Sequence, residues 1–401
     1  AQAGQVPGFG PHGTFVTGRG TLMELTPGRG ARVLMGKPRM LDVADPAVSP
    51  DGKRVAFAGV ETPGARWRIY VLDLERGDSV CVTCGPPEID PPGNDADPCW
   101  WGDSLVFVST RAGGHALYDG SAVTQLWLRT PRGEFFQLTH EANGALDPIR
   151  DERTRRLMFS RWWFNPWVSD RERGLTRHPA RALTPDSVNV WQVVSASMVR
   201  DAGGAPALAD VRLAAGGVVP RRRGMGIQSA PLPGGGVLAV SARNTGLAPR
   251  PGTLSLQRYG APPAAGRRLA GAAIGDDAGD PYTENANLAA PAACAPAALA
   301  DGRVLVALDP GGRGDFGLWV MSADGESREL LFDLAGTLEL DPALVPTSPT
   351  PPTRNAGSAA QPRTTAARRA PPRDATHTFR YLDTDVFAGR GAPARTPGAR
   401  L

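Results

Sequence analysis

Short stretches of alternating apolar and polar residues, broken by turns rich in Pro and Gly, recur along this chain. In Arg54–Gly59, Val55, Phe57 and Gly59 alternate with Arg54, Ala56 and Ala58, the period of a strand whose two faces meet different surroundings. Ser49-Pro50-Asp51-Gly52 precedes it as a tight turn, with Pro presetting φ and Gly free to take a positive one. Trp67–Leu74 reads as a following strand, Glu75-Arg76-Gly77-Asp78 as a turn, and Ser79–Cys84 as a last strand. Together with the strand opened by Asp45-Pro46 they make one small antiparallel sheet of four strands.

The unit repeats. Asp45–Gly59 (D-P-A-V-S-P-D-G-K-R-V-A-F-A-G) returns as Asp97–Arg111 (D-P-C-W-W-G-D-S-L-V-F-V-S-T-R) and more loosely as Asp147–Arg161 (D-P-I-R-D-E-R-T-R-R-L-M-F-S-R), at a spacing of about 50 residues. The second copy runs through Leu105–Ser109, Gln125–Thr130 and Phe135–Thr139. The third runs through Leu157–Ser160, Asn189–Val199 and Ala207–Leu213, with an insertion at Trp162–Ser187. A fourth, degenerate copy covers Ile227–Gly271, and a fifth covers Ala292–Asp333.

The sixth copy is split. Glu339–Leu344 opens a unit whose partners do not follow, whereas Thr21–Leu25 and Ala31–Met35 form a hairpin before the first complete unit. Joining the two closes a ring without a free sheet edge. The expected fold class is therefore all-β: a β-propeller of six four-stranded blades with a split closing blade, spanning residues 21–352. The looseness of the third and fourth copies leaves five and seven blades open. Residues 1–20 read as an N-terminal extension, 353–375 as a disordered Pro- and Arg-rich linker, and 376–401 as the start of a further domain or a tail, since Thr378–Phe387 has a strand-like pattern.

The run D-P-A-V-S-P-D-G-K-R-V-A-F followed by W-R-I-Y-V-L-D-L resembles the TolB-type (WD40-like) propeller repeat. Ser160–Trp167 (S-R-W-W-F-N-P-W) and Thr378–Phe387 (T-F-R-Y-L-D-T-D-V-F), with the blade order, are similar to propeller-bearing proteins related to the hydrazine synthase alpha subunit. The first resemblance implies an exported, periplasmic bacterial protein. The second implies c-type haems, whose attachment requires C-x-x-C-H. Here Gly85 follows Cys81-Val82-Thr83-Cys84 where that His would stand, so no haem is expected and hydrazine chemistry does not carry over.

Composition suits many short strands and turns, with 49 Gly and 39 Pro in 401 residues. No apolar run approaches the roughly 20 residues of a membrane helix. Residues 346–401 carry nine Arg and three Asp, so the whole chain's +4 leaves about −2 for the preceding 345 residues. The basic residues scattered in that tail read as a linker rather than a nucleic-acid arm. Four cysteines invite three readings: inert buried thiols, a disulfide among Cys81, Cys84 and Cys99, or a metal site that distant Cys294 would have to complete.

TolB-like propellers also gate prolyl-oligopeptidase-like peptidases, but the G-x-S-x-G elbow those enzymes need is missing from the sequence. None of the five histidines pairs with another at metal-binding spacing, and His140 reads as a solvent-facing turn residue. Asp45, Asp97, Asp147 and Asp341 could ring a central channel around a cation. Their shared Asp-Pro position favours a structural role as acceptors for backbone N–H groups. Trp100 and Trp101 read as blade core.

The insertion is the best candidate for function. Trp162, Trp163, Phe164 and Trp167 fall within six residues and are followed by Arg171 and Arg173, the residue types that interface hot spots use. The same aromatics could instead cover the blade edge. The sequence thus supports a noncatalytic propeller that scaffolds a larger exported protein and binds a protein partner through this rim, with no cofactor and no nucleic acid. The alternative is a propeller enzyme of the lyase or lactonase kind with a metal at the channel mouth, for which Asn244, Asp276, Asp277, Glu284 and Asn285 form the loosely suitable cluster.

Overall fold

The computed structural model describes residues 14–15, 18–26, 30–34, 40–85, 92–117, 120–164, 189–219, 222–224, 226–242, 254–260, 266–271, 291–312, 314–334 and 336–346. Every regular element among them is a β-strand. A hairpin comes first, β1 (Met23–Thr26) and β2 (Gly30–Val33). The first complete blade holds β3 (Asp42–Val48), β4 (Arg54–Val60), β5 (Arg68–Asp73) and β6 (Ser79–Cys81). The second holds β7 (Asp95–Trp101), β8 (Ser104–Ser109), β9 (Gln125–Arg129) and β10 (Phe135–Gln137).

The third blade has five strands: β11 (Ala145–Asp151), β12 (Arg156–Phe164), β13 (Asn189–Arg200), β14 (Pro206–Val219) and β15 (Arg222–Gly224). The fourth comprises β16 (Ile227–Pro231), β17 (Val237–Ala242), β18 (Leu254–Tyr259) and β19 (Gly266–Gly271). The fifth comprises β20 (Ala292–Ala298), β21 (Val304–Asp309), β22 (Gly317–Met321) and β23 (Arg328–Phe332). All pairings are antiparallel between chain neighbours, so each blade is a meander.

The repeat turn forms as its residues dictate. The Ser49 N–H donates to the Arg54 carbonyl (2.8 Å), the Asp51 carboxylate accepts the Ser49 hydroxyl (2.5 Å), and Gly52 takes φ 71°. The second strands carry the core: Ala56, Phe57, Ala58, Val106, Phe107 and Val108 have no exposed surface. One apolar cluster runs from Cys99 in the second blade to Met321 in the fifth, and a second joins Trp67 and Ile69 of the first blade to Trp100 and Phe107 of the next.

Buried ions help to lock the first two blades. Asp95 is fully buried, accepts two hydrogen bonds from Arg111 (2.8 and 2.9 Å) and lies 3.5 Å from the Arg68 guanidinium of the preceding blade. The Arg111 guanidinium also stacks over Phe135 and Phe107, at 4.8 and 5.0 Å from their centroids.

A sixth position is occupied at both ends of the chain. In complete blades the residue after the fourth strand donates to the residue within the third: Val82 N–H to the Ile69 carbonyl, and Leu138 N–H to the Leu126 carbonyl (both 2.8 Å). Leu34 N–H to the Leu22 carbonyl (2.9 Å) has the same form, which makes β1 and β2 a third and a fourth strand. Leu22 packs with Val43, Phe57 and Leu72 of the first blade. Residues 338–346 run where a first strand belongs: Glu339 N–H donates to the Phe316 carbonyl, as Asp95 does to Trp67 and Ala145 to Thr124 in earlier blades. Five blades are thus complete, and the split sixth copy is represented by the β1–β2 hairpin and by residues 338–346, which form no regular strand. The linker 353–375 and the segment 376–401 lie outside the described residues.

Candidate functional site

Each inner strand breaks register at the repeat's Asp-Pro step. Pairing skips between Ala44 and Ala47, Ala96 and Cys99, Leu146 and Ile149, Ile227 and Ser229, and Cys294 and Ala297. The bulge residue adopts left-handed backbone each time: φ is 53° at Asp45, 45° at Asp97, 50° at Asp147, 46° at Gln228 and 48° at Ala295, and Asp341, outside any strand, has φ 51°. Asp tolerates this region better than most residues, and the Pro that follows lacks the N–H a regular ladder would require. Gln228 and Ala295 keep the conformation without the favoured side chain. Five such positions lie in the five complete blades, and Asp341 is the sixth around the same cavity.

The bulges turn these side chains toward the next blade. The Asp45 carboxylate accepts the Asp97 N–H (3.3 Å), Asp97 accepts the Asp147 N–H (3.1 Å), and Asp147 accepts the Gln228 N–H (3.1 Å). The Gln228 side-chain carbonyl continues with the Ala295 N–H (2.9 Å). Ala295 carries no acceptor, and the relay stops there. The structural reading of these aspartates holds for Asp45, Asp97 and Asp147; the Asp341 carboxylate makes no equivalent bond among the described residues.

The four carboxyl groups, with Gln228, Ser229 and the prolines, line a cavity of about 150 Å³ on the axis. That is the scale of a few waters or a small ion, below the roughly 300–1,000 Å³ of sites that enclose metabolites. Burial pushes Asp97 up to about 6 and Asp147 to about 7, the latter helped by the Asp97 charge. Asp341 is likewise pushed to about 7, by burial and then by Asp147. Asp45 is raised well above the carboxylate range by burial and then by Asp97 and Asp341. The ring therefore holds protons that isolated aspartates would release. Among the described residues, no three His, Cys, Asp or Glu side chains converge as a metal site.

The predicted rim residues are distributed differently. Trp162 and Trp163 are not part of the insertion: β12 continues through Phe164, pairing Trp162 with Trp191 and Phe164 with Asn189. Trp162 is 1% exposed and stacks on Trp191, with centroids 5.6 Å apart, so its ring is held in the blade core and not offered to a partner. Trp163 is half-buried at the end of that strand, with the Arg161 guanidinium 5.2 Å from its centroid. Trp167, Arg171 and Arg173 lie outside the described residues, as do Asn244, Asp276, Asp277, Glu284 and Asn285.

Cys81 and Cys84 are joined by a disulfide, and Cys99 is a buried free thiol, as is Cys294. Trp100 is buried, donates its indole N–H to the Ala47 carbonyl (2.9 Å) and carries the Arg54 guanidinium on its face. His140 is exposed beside Gln137. Sequence reasoning missed the Arg68–Asp95–Arg111 group. Its only signal was that Arg111 ends the second repeat copy and Asp95 stands two residues before its start.

The chain superimposes on hydrazine synthase from Kuenenia stuttgartiensis with a TM-score of 0.55 and 15% identity, covering 80% of this chain and 43% of that one. The shared fold is the β-propeller. TolB from Acinetobacter baumannii gives a TM-score of 0.49 at 16% identity, over 80% of this chain and 60% of that one. Puromycin hydrolase gives 0.44 at 17%, over 80% and 43%. The chain thus spans less than two thirds of the length of each of these structures. No family model matches it, and no curated protein does. Among the described residues no helix is long and apolar enough to cross a membrane.

Proposed function

We propose that this chain is a noncatalytic propeller scaffold of an exported protein, and that it binds a protein partner through the rim where the third blade carries its insertion. The observation behind this reading is that the axial side chains serve the ring itself: three carboxylates and one amide are engaged by the backbone of the next blade. The disulfide between Cys81 and Cys84 fits an oxidising compartment. Trp163, stacked under Arg161 beside residues 165–188, supplies the aromatic and Arg pairing typical of an interface anchor.

A photo-crosslinking residue in place of Trp163, with a control in place of the exposed Val80 on β6, tests the rim. One protein captured at 163, absent at 80 and lost when residues 165–188 are replaced by a short Gly-Ser loop, is the expected result. Capture that is equal at both positions defeats the proposal. So does a stoichiometric metal on the purified chain that Asp147→Asn removes.

A further inference from the structure

In each complete blade, strands one to four follow one another in the chain and in the sheet. The sixth blade departs from this in one place. Residues 338–346 supply its first strand and the β1–β2 hairpin its third and fourth, but β1 pairs only with β2, and no described strand lies between it and residues 338–346. The hairpin holds to the first blade through Leu22, and residues 338–346 hold to the cluster that includes the fifth through Leu340 while Val345 and Pro346 come beside Gly52 of the first.

Exposure reports the gap. Leu338, Leu344 and Val345 are 39%, 38% and 53% exposed, whereas six of the seven residues of β7, the corresponding strand of the second blade, are buried. Met23 at the start of β1 is 39% exposed. A polar group is stranded there too. Glu339 stands two residues before its repeat Asp, as Asp95 does, yet its Oε2 is buried without a hydrogen-bond partner, whereas Asp95 is held by Arg111, two residues beyond the second strand of its blade.

We propose that the missing second strand is supplied by this chain's own segment within Thr378–Arg390, docked between residues 338–346 and β1. Chain order is the first argument, since a second strand follows a first in all five complete blades. The chain before β1 is led elsewhere: the Phe15 carbonyl accepts the Trp67 indole N–H (3.1 Å) on the first blade. Pattern is the second argument. Val386-Phe387-Ala388-Gly389 repeats Ala56-Phe57-Ala58-Gly59 of β4 and the Val106-Phe107-Val108-Ser109 of β8.

Register follows from the repeat. The residue before each bulge pairs with the residue after that Phe, Ala44 with Ala58 and Ala96 with Val108, so Leu340 pairs with Ala388. Glu339 then faces Gly389, as Asp95 faces Ser109, and Arg390 follows one residue short of the Arg111 position. The 39 residues from 347 to 385 reach up to roughly 130 Å when extended, far more than the path requires. Asp385 is the one departure, at a position that is Val55 in β4 and Leu105 in β8.

Hydrogen exchange on the full chain, on a chain ending at Ala375 and on full-length Val386→Pro tests this. Proline removes a ladder donor without shortening the chain. The expected result is that amides of 339–345 and Met23–Thr26 exchange at least about ten-fold faster in both altered chains, with β7 and β20 unchanged, and that a peptide of residues 376–392 restores protection to the truncated one. Equal exchange in all three chains overturns the proposal. Protection in the truncated chain that rises with its concentration also overturns it, because a second copy would then be filling the gap.

Discussion

Replacing Asp147 by Asn asks directly whether the axial ring stores protons. The amide keeps an oxygen for the Gln228 N–H, which now lies 3.1 Å from the carboxylate, and removes only the ionisation. Burial raises the Asp147 pKa from 3.8 to about 7, so the folded chain holds a proton that the unfolded chain has released throughout that window. Stability from this group is therefore full below about pH 4, falls as pH rises toward 7, and is flat above. A shift of about three units at ~1.4 kcal/mol each bounds the loss at about 4 kcal/mol. Coupling with Asp45, Asp97 and Asp341 spreads it over several steps and shares it among them. Urea unfolding at pH 4.5 and pH 8 measures the effect. The variant should match the parent at the lower pH and exceed it by about 1–4 kcal/mol at the higher. A difference that is the same at both values, or a variant that falls behind as pH rises, refutes the reasoning.

Asp95→Asn should destabilise the chain by about 3–5 kcal/mol in the same assay, because buried Arg111 loses the carboxylate that pairs with it and Arg68 loses its neighbour at 3.5 Å. Asp103→Asn, which breaks the more exposed pair with Arg54 at 3.6 Å, should change stability by less than about 1 kcal/mol. Trp162→Ala should cost about 3–5 kcal/mol through the cavity beside Trp191, while Trp163→Ala, at a half-buried ring under Arg161, should cost less.

The blades were legible because their code is local. Alternation in Val55, Phe57 and Gly59, and a turn chemistry as specific as Ser49-Pro50-Asp51-Gly52, determine strand and hairpin without reference to the rest of the chain. The split sixth copy was legible for the same reason, since Glu339–Leu344 keeps the Asp-Pro step. The bulge was not: nothing in Asp-Pro announces a positive φ, and Gln228 and Ala295 hold the same backbone with unrelated side chains because the neighbouring strands impose it. Trp162 was misplaced because a run of aromatics looks the same on a rim as on a strand that has continued four pairs further. The Arg68–Asp95–Arg111 group escaped notice because its members meet only when two blades pack.

The relay of side chains has a direction. Each acceptor reaches forward to the next blade, and the sequence of links ends at Ala295, leaving the stretch from the fifth blade to Asp45 without such a side-chain link among the described residues. Mechanically the molecule is then a bracelet with a seam. A force or a denaturant that works on the whole ring will part it at that seam, and the first opened form will be an arc of intact blades whose two free ends are Leu22 and Leu340.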